Sequence, residues 1–598
     1  MEEIIIVPAP RTIRRRKGTV PVPATLESEL AGYTVGADNP QGVRAQVDTG
    51  LSKGEQSYRL SIGPDDLTLT AGDQQGLYYG FMTLRQLVRQ ADDAGRIPCV
   101  HIEDWPEFPV RGVMLDISRD RVPTMETLKR LIDLWSELKF NQVQLYTEHT
   151  FAYAAHQIVW EQASPITPQE AEELDRYCRK RAIELVPNQN SFGHMERWLK
   201  HNRYSHLSDA TGSYVDPWGG LRHQATTLNP LDPESLHLLC GLYDELLPHF
   251  SSNMINVGAD EPFDLGQGRS REACQERGLG RVYLEFMLKI HEQLSRRGKI
   301  MQFYGDIVLH HPELIEELPR DVIALNWGYE AEHPFNKETR MFAEAGLQFY
   351  VCPGTSAWNS IGGRWNNARQ NILSAAREGR SAGASGFLLT DWGDNGHCQQ
   401  PPVSYPAYLF AATVSWNPEA GQDTDVEACL SRHIFRDDTG KAAQALMILE
   451  NLYHDGIVRF SNAGALGVLL LLELQPYHQE ELKQLRGYDF AREQAGTAEV
   501  LSLLRQADIR AEDADLLSEE LTLTADLMAH AAHLGKERFA TAGLTTAEIP
   551  YATRKTLNDE LEALTEAFKI LWLSRSRPGG LKDSARRLLA LKESYHQG

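Results

Sequence analysis

Residues 256–266, written NVGADEPFDLG, place two carboxyl side chains, Asp260 and Glu261, directly after a mostly apolar run. Adjacent carboxylates repel each other, and removing them from water costs several kcal/mol unless nearby groups compensate. An Asp-Glu pair by itself is common in solvated loops. Whether this pair does chemistry therefore depends on the side chains that the rest of the chain brings to it.

Polar and aromatic side chains also follow the other short apolar runs of the chain. Such side chains suit sugars, because indoles stack on the C–H face of a sugar ring while acids and amides hydrogen-bond its hydroxyls. Any one of them could be core packing or a loop residue, but their coincidence at eight run ends favours a binding site. They include Arg119, Glu148, His149, Asn188, His194, Tyr304, Asp306, Trp327, Tyr329, Trp358, Asn359, Asp391, Trp392 and Asp394.

Eight apolar runs, alternating with amphipathic helical stretches, predict the elements that position these side chains. Near-continuous apolar strands are typical of a parallel sheet covered on its faces, and eight strand–helix units predict a (β/α)₈ TIM barrel. Since active sites of this architecture lie at the carboxyl ends of the strands, the side chains above are expected to meet at one mouth. The predicted strands are 112–117, 143–147, 183–189, 254–260, 300–305, 322–327, 348–352 and 386–391.

The segments on either side of the barrel have different patterns. Residues 57–62 and 67–70 alternate as antiparallel strands do, and 76–88 is apolar on one helical face. Beyond about residue 421 the chain is rich in Leu, Ala and Glu at helical spacing. The predicted α/β fold has a small α+β domain at 1–104, a catalytic barrel at 105–420 and an α-helical region at 421–598, whose helices could form a homodimer.

Composition excludes several classes of function. The 598 residues carry a net charge of −22, which argues against nucleic-acid binding, since that requires a basic face. The seven cysteines are scattered without Cys-x-x-Cys spacing, so neither a disulfide framework nor a zinc knuckle is indicated. No signal peptide and no apolar run long enough to cross a membrane is seen, which predicts a cytoplasmic protein. No cofactor and no metal are expected.

The motifs, taken in order, resemble those of the family 20 glycoside hydrolases, the β-N-acetylhexosaminidases. Gly258-Ala-Asp-Glu261 looks like the family's Gly-x-Asp-Glu signature, and residues 106–119 resemble its opening barrel strand. Residues 78–87 look like the end of its N-terminal accessory domain. The resemblance covers residues 55 to about 420 and implies exo-hydrolysis of terminal β-linked N-acetylhexosamines with retention, through an oxazolinium intermediate.

The resemblance also implies roles for particular residues. Glu261 would be the general acid/base, and Asp260 would orient the substrate's 2-acetamido group. This assignment fits the local physics, because a neighbouring carboxylate raises the pKa of a glutamic acid that must donate a proton. The remaining residues are implied to bind substrate: Arg119 and Asp394 at the sugar hydroxyls, His194 near the acids, and Trp327 and Trp392 as walls of the acetamido pocket.

Two positions depart from the family pattern. After the second strand the usual His-x-x-Asp-Asp run is replaced by Tyr146-Thr-Glu148-His149, and Glu148 is assigned the place of the acid. After the seventh strand Trp358-Asn359 stands where a Tyr-x-Asp is usual, which leaves Tyr304 and Trp358 as candidates for holding the acetamido carbonyl. These changes suggest a divergent bacterial-type subgroup, and relaxed choice between the gluco and galacto epimers is a hypothesis.

Three alternatives stay open at this point. A metal-dependent barrel hydrolase would need ligands at defined spacing, such as His-x-His at a strand end, and no such motif occurs. A non-catalytic glycan-binding barrel is disfavoured because both Asp260 and Glu261 are present. Another glycosidase family that shares substrate assistance but uses differently arranged acids is also open, and the sequence leaves the aglycone undefined.

Overall fold

The computed structural model describes residues 4–64, 66–453, 458–540 and 545–596. The chain begins with a five-stranded sheet of order β1-β5-β3-β4-β2, mixed in direction because β2 and β4 run parallel. Two helices cover it, and the longer one begins at Asp73, whose carboxylate accepts a hydrogen bond from the Gly76 N–H. The elements are β1 (Thr12–Pro21), α1 (Leu26–Ala31), β2 (Arg44–Val47), β3 (Tyr58–Gly63), β4 (Asp66–Ala71), α2 (Gln74–Val88) and β5 (Arg96–Asp104).

An eight-stranded parallel sheet follows, in the order β11-β12-β13-β14-β15-β6-β7-β8. Backbone hydrogen bonds from the Gln189 N–H to Asn256 O (3.0 Å) and from the Asn256 N–H to Pro187 O (2.9 Å) join β8 to β11 and close the barrel. The strands, with a short hairpin between β8 and β11, are β6 (Val110–Asp116), β7 (Gln142–Tyr146), β8 (Glu184–Val186), β9 (Tyr214–Val215), β10 (Leu221–Arg222), β11 (Met254–Asn256), β12 (Ile300–Tyr304), β13 (Ile323–Trp327), β14 (Gln348–Cys352) and β15 (Gly386–Asp391).

All eight predicted barrel strands are present, but two of them end three or four residues earlier than the sequence suggested. Strand β8 stops at Val186 because Pro187 follows and has no N–H to donate. Strand β11 stops at Asn256 because Gly258, Ala259 and Glu261 have positive φ angles of 63°, 66° and 48°, which break an extended strand. The catalytic candidates therefore lie on a loop held between the strands, not on a strand.

Helices surround the barrel and make up the rest of the chain. One helix starts at a capping box, in which the Thr167 side chain accepts from the Glu170 N–H and the Glu170 carboxylate accepts from the Thr167 N–H. Within the described residues no strand follows β15. The helices are α3 (Met125–Glu137), α4 (Gln157–Trp160), α5 (Pro168–Arg179), α6 (Glu196–Leu199), α7 (Pro233–Leu246), α8 (Arg271–Arg277), α9 (Leu279–Arg296), α10 (Asp306–His310), α11 (Phe335–Glu344), α12 (Trp365–Ala382), α13 (Tyr405–Trp416), α14 (Pro418–Gly421), α15 (Val426–Cys429), α16 (Lys441–Glu450), α17 (Ala465–Leu470), α18 (Gln479–Gln484), α19 (Ala491–Leu504), α20 (Ala514–Phe539), α21 (Tyr551–Arg575) and α22 (Leu581–Ser594).

Buried polar contacts attach both flanking regions to the barrel. Asp104, at the end of β5, accepts hydrogen bonds from the Lys139 ammonium (3.1 Å) and the Trp416 indole (2.7 Å). At the other end of the chain, the Arg577 guanidinium donates to the Glu170 carboxylate at 2.9 Å. The predicted fold class, a (β/α)₈ barrel between a small α+β domain and a helical region, is confirmed. No helix among the described residues is long and apolar enough to cross a membrane.

Candidate active site

Three hydrogen bonds attach the loop that carries the two acids to neighbouring segments of the barrel. The Tyr304 N–H donates to Gly258 O at 2.9 Å, and the Ala259 N–H donates to the Asn190 side chain at 3.2 Å. The Glu261 N–H donates to an Asp306 carboxylate oxygen at 3.3 Å. Left-handed backbone at a non-glycine residue costs free energy and persists where the surroundings enforce it, which is a feature of functional sites. The loop is thus a strained and well-anchored platform for Asp260 and Glu261.

His194 reaches this pair because the chain before it passes close to the loop. A Cβ atom on Gly193 would lie 2.3 Å from the Asp260 carbonyl oxygen, so only glycine fits. His194 itself has a φ of 52°, and its Nε2 lies 3.4 Å from Asp260 Oδ2 and 3.5 Å from Glu261 Oε2. The three side chains therefore form one cluster, in which the His194 imidazole lies close to both carboxyl groups.

Their surroundings give the two acids opposite protonation tendencies. Burial opposes ionisation of Asp260, but the charges of His194 and Arg119 outweigh it, and the pKa of Asp260 is lowered from its ordinary value. Burial, together with repulsion from Asp260, raises the pKa of Glu261 to about 7, although His194 opposes the change. Burial would lower the pKa of His194, but Asp260 raises it to about 10. At neutral pH one carboxylate is ionised while its neighbour holds a proton for much of the time.

A second charged group lies beside the cluster. The Arg119 guanidinium lies 3.3 Å from an oxygen of Asp116 and 3.3 Å from an oxygen of Glu148. It also lies over two rings, 4.6 Å from the Tyr146 centroid and 5.0 Å from the Trp392 centroid. Burial raises the pKa of Glu148 to about 7, partly offset by Arg119. These ion pairs and ring contacts hold the Arg119 guanidinium in one place, so its remaining N–H donors have a fixed direction.

Aromatic side chains from the later strands pack into a single wall. The Trp392 indole N–H donates to the Tyr329 hydroxyl at 2.7 Å, and Tyr329 stacks on Trp327 with ring centroids 5.2 Å apart. Trp358 meets Tyr329 edge-on at 5.1 Å. Together with Tyr304 these rings belong to one cluster of the barrel interior, in which Trp327 and Tyr329 are partly buried. Such a wall excludes water and offers faces on which a sugar and its acetamido group can pack.

The two candidates for holding the acetamido carbonyl differ in the state of their donors. The Trp358 indole N–H donates to Asn462 Oδ1 at 2.9 Å, so this donor is already used. Tyr304 is fully buried, and its hydroxyl has no hydrogen bond of normal geometry within the described part of the chain. A buried hydroxyl without a partner is costly, which indicates a place where a ligand supplies the acceptor. This difference favours Tyr304.

Asp394 lies at the opposite rim of the mouth, next to the helical region. Asn359 donates to the Asp394 carboxylate at 3.2 Å and also to Asn462 O at 3.3 Å. Burial raises the pKa of Asp394 to about 6, with Arg119 opposing the change. The φ of Asp394 is 37°, another left-handed residue at the site. The placement is compatible with the predicted role of Asp394 in binding hydroxyls.

The structure brings nine of the ten predicted site residues to one mouth, and the tenth, Trp358, is buried among the aromatic rings behind it. Four further residues belong to the site. Asp306 and Tyr329 follow strand ends and were among the side chains that the sequence placed at the mouth without a role, and Asn190 lies on the loop after β8. Asn462 carried no sequence signal, because it belongs to the helical region and reaches the barrel only in the folded chain.

One cluster of three possible metal ligands occurs among the described residues, and it is the group His194, Asp260 and Glu261. A histidine must be neutral to bind a metal, whereas the raised pKa of His194 favours its protonated form between two acids. The opposite charges of His194 and Asp260 thus favour an ion pair within this cluster. The expectation of a metal-free site stays a prediction, which metal analysis of the purified protein tests.

Comparisons with known proteins identify the family. The model for the catalytic domain of glycosyl hydrolase family 20 matches residues 108–377, and the model for domain 2 of the same family matches residues 22–105. A beta-hexosaminidase from Akkermansia muciniphila is 26% identical over 291 residues, which cover 43% of this chain and 57% of that protein. Human hexosaminidase D is 24% identical over 352 residues, covering 54% of this chain and 68% of that protein.

Solved structures with a similar fold come from the same family. The structure of a family 20 exo β-N-acetylglucosaminidase from Vibrio harveyi, in complex with N-acetylglucosamine, aligns with a TM-score of 0.58 at 17% identity. The alignment covers 75% of this chain and 78% of that one. The two family models lie end to end across the N-terminal sheet and most of the barrel, including the loop with Asp260 and Glu261. The chain therefore belongs to glycosyl hydrolase family 20.

Proposed function

We propose that the protein is an exo-acting β-N-acetylhexosaminidase that removes terminal, non-reducing β-linked N-acetylglucosamine or N-acetylgalactosamine with retention of configuration. The observation that carries the proposal is the pair Asp260 and Glu261, whose pKa values are pushed in opposite directions around the shared His194. Family membership and the names of the relatives, a beta-hexosaminidase and a hexosaminidase D, support it.

In the first step the sugar's own acetamido group acts as nucleophile. Its carbonyl oxygen bonds to C1 while the C1–O bond to the leaving group breaks, and protonated Glu261 gives its proton to the departing oxygen. Ionised Asp260 accepts a hydrogen bond from the acetamido N–H and balances the positive charge of the oxazolinium ion. The Tyr304 hydroxyl donates to the carbonyl oxygen and holds it below C1. Before this step Asp260 is ionised and Glu261 is protonated, and these are the states that their surroundings favour.

In the second step the roles reverse. Glu261, now a carboxylate, takes a proton from a water molecule whose oxygen attacks C1 from the side that the leaving group left. The C1 bond to the acetamido oxygen breaks, and the neutral acetamido group is restored. The Asp260 carboxylate then again accepts a hydrogen bond from an uncharged acetamido N–H. Two displacements at C1 give net retention. A single residue can be acid and then base because its pKa is near neutrality.

Hydrolysis of three p-nitrophenyl β-glycosides tests the proposal. The substrates are those of N-acetylglucosamine, N-acetylgalactosamine and glucose, which lacks the acetamido group. Wild type is measured beside Asp260→Asn and Glu261→Gln, and each variant's fold is checked by circular dichroism. We expect turnover of the two acetamido sugars alone, and a loss of kcat/KM of about 10³-fold or more for Asp260→Asn.

The result that overturns the proposal is equal hydrolysis of the glucoside, because the acetamido group would then do no chemistry. Wild-type protein that binds N-acetylglucosamine but turns over none of the three substrates would favour the alternative of a non-catalytic glycan-binding barrel. A strong preference between the two acetamido epimers would contradict the hypothesis of relaxed epimer choice while leaving the mechanism in place.

We further propose a homodimer through the C-terminal helices and a cytoplasmic location. Helix α21 exposes the large apolar side chains Tyr551, Ile570 and Leu573, and a partner could cover them. All seven cysteines are unpaired, as is usual in a reducing compartment. Light scattering of wild type against Ile570→Glu tests the dimer, and cell fractionation tests the location.

A further inference from the structure

The hairpin β9–β10 carries an exposed indole beside the candidate active site. Trp218, at its tip, is 60% exposed, although large aromatic side chains are usually buried. We propose that Trp218, with Phe263 and Tyr477, forms an aromatic platform for the first sugar of the leaving group, so that the substrate is an oligosaccharide chain and not a monosaccharide on a small aglycone. This inference rests on the proposed function and names its substrate class.

The hairpin is built to hold Trp218 in place. The buried carboxylate of Asp216 accepts hydrogen bonds from the Trp218 N–H at 3.0 Å and from the Gly220 N–H at 2.7 Å. It also accepts one from the Arg222 guanidinium at 2.8 Å. A side chain that closes its own turn in this way fixes the backbone. Trp218 is therefore presented on a fixed turn.

The same hairpin is tied to the loop that carries the acids. Gln267 pairs with the Val215 backbone, accepting from its N–H at 3.2 Å and donating to its oxygen at 2.9 Å, and it also donates to Phe263 O at 2.9 Å. Phe263 follows Glu261 by two residues, and its N–H donates to Glu261 O at 2.7 Å. The Trp218 ring meets the Phe263 ring edge-on, with centroids 5.1 Å apart. A short, fixed connection thus joins Trp218 to the proton donor.

The helical region supplies the third ring. Tyr477 lies 6.1 Å from Trp218, edge-on, and its hydroxyl donates to Asp216 at 3.4 Å and contacts Arg222. Trp218, Phe263 and Tyr477 come from three separate segments, and all three remain partly open to solvent. Because Trp218 meets both other rings edge-on, the exposed indole is the surface on which a flat apolar face can stack, and Phe263 and Tyr477 pack beside it.

The chemistry of the reaction says what occupies that face. Glu261 must reach the glycosidic oxygen, so the leaving group lies beside Glu261, on the side away from the pocket of Tyr304 and Trp392. Phe263, whose N–H donates to Glu261 O, contacts the Trp218 ring, which places both rings next to the segment that carries Glu261. The C–H face of a pyranose ring fits an indole, while methyl or other small aglycones are too short to use it. A leaving-group sugar is therefore the occupant.

Two substrates with the same reacting sugar separate this role from the reaction itself. Methyl N-acetyl-β-glucosaminide has a small leaving group, and N,N′-diacetylchitobiose has a sugar as its leaving group. We would measure kcat/KM for both with wild type, Trp218→Ala, Trp218→Phe and the control Leu221→Ala. Leu221 is also exposed on this hairpin, so its replacement removes apolar surface without an aromatic ring. Circular dichroism checks that each variant is folded.

The ratio of the two kcat/KM values, chitobiose over methyl glycoside, is the readout. We expect it to fall roughly tenfold in Trp218→Ala, to recover in large part in Trp218→Phe, and to stay at the wild-type value in Leu221→Ala. An unchanged ratio in Trp218→Ala, or an equal fall in Leu221→Ala, overturns the platform while leaving the proposed function intact. Wild-type protein inactive on both substrates overturns the proposed function itself.

Discussion

The two halves of the barrel mouth are built from different materials. The loops after β6, β7, β8 and β11 deliver Arg119, Glu148, His194, Asp260 and Glu261, all of them charged or titratable. Strands β12, β13 and β15 deliver the rings of Tyr304, Trp327 and Trp392, with Tyr329 and Trp358 close by. Asp306 and Asp394 are the acids of this second half. The sugar is thus expected to lie between a charged half that does the chemistry and an aromatic half that holds it.

The difference teaches how each half responds to change. In the charged half the pKa values depend on neighbouring charges, since His194 acts on both acids and Arg119 acts on Asp260 and Glu148. Effects of substitutions there are expected to be non-additive and to depend on pH. The rings of the aromatic half make packing contacts and single hydrogen bonds, so substitutions of these rings should act on binding and geometry with little pH dependence.

The largest effect is expected for Glu261→Gln, and it should depend on the leaving group. A sugar needs a proton to depart, so kcat/KM on chitobiose should fall by about 10³-fold, within the range for general acid catalysis. A 2,4-dinitrophenyl leaving group needs none, so kcat/KM on that glycoside should change far less. Asp260→Asn is the matched control and should lose activity on both, because the acetamido group must be positioned in either case. Equal losses in Glu261→Gln would contradict the assignment.

The next largest effect is expected in the aromatic half. Tyr304→Phe removes the donor proposed for the acetamido oxygen, and kcat should fall by about 10²-fold, as for loss of a donor to developing charge. The shape of the pH–rate profile should stay that of wild type. Tyr350→Phe is the control, because that hydroxyl lies in the barrel at 3.9 Å from the Met254 sulfur and not at the mouth. Full activity of Tyr304→Phe would show that another group donates the hydrogen bond to the acetamido oxygen.

A smaller effect, seen as a change of pH profile, is expected for His194→Gln. His194 lowers the pKa of Asp260 and also that of Glu261, so a neutral residue should raise both. Activity needs Asp260 ionised and Glu261 protonated, so the acid limb and the alkaline limb of kcat/KM should both move to higher pH. The alkaline limb, near 7 in wild type, should move up by roughly one unit.

His149→Gln is the control for this shift. Burial lowers the pKa of His149 well below its ordinary value, so it is neutral at the working pH and contributes no charge to the acids. Its replacement should leave both limbs in place. An alkaline limb of His194→Gln that stays near 7 or moves to lower pH would show that the imidazole does not set the pKa of Glu261.

The smallest effect is expected for Asn462→Ala, at the edge where the helical region meets the aromatic half. The change removes the side-chain acceptor of the Trp358 indole, while the backbone oxygen of Asn462 can still accept from Asn359. Because Trp358 packs against the aromatic wall proposed to bind the sugar, KM should rise about threefold with kcat nearly unchanged. Asn451→Ala, whose amide donates to Met447 O in the same region, is the control. A fall in kcat alone would place Asn462 in the chemical step.

The fold was largely predictable because the barrel strands are buried on both faces and read as apolar runs. The exceptions have local causes: Pro187 shortens β8, and the left-handed residues from Gly258 to Glu261 shorten β11. The strand-end rule gave the candidate residues and the family resemblance gave their roles, and the structure brings all but Trp358 to one mouth. Asp306 and Tyr329 were visible at strand ends but could not be ranked, since whether a strand-end side chain points inward depends on the loop that follows.

The sequence by itself determined the barrel, its order of strands and the adjacent acids, because hydrophobic period and residue spacing are local properties. Only the tertiary structure decided which groups interact. The imidazole of His194 lies between both acids because Gly193 lets two loops touch. The Trp358 donor is satisfied by Asn462, more than a hundred residues away, while the Tyr304 hydroxyl has no hydrogen bond of normal geometry to any residue that the structure describes. Protonation states and free donors depend on distances of a few ångströms between segments remote in the chain, and those distances exist only after folding.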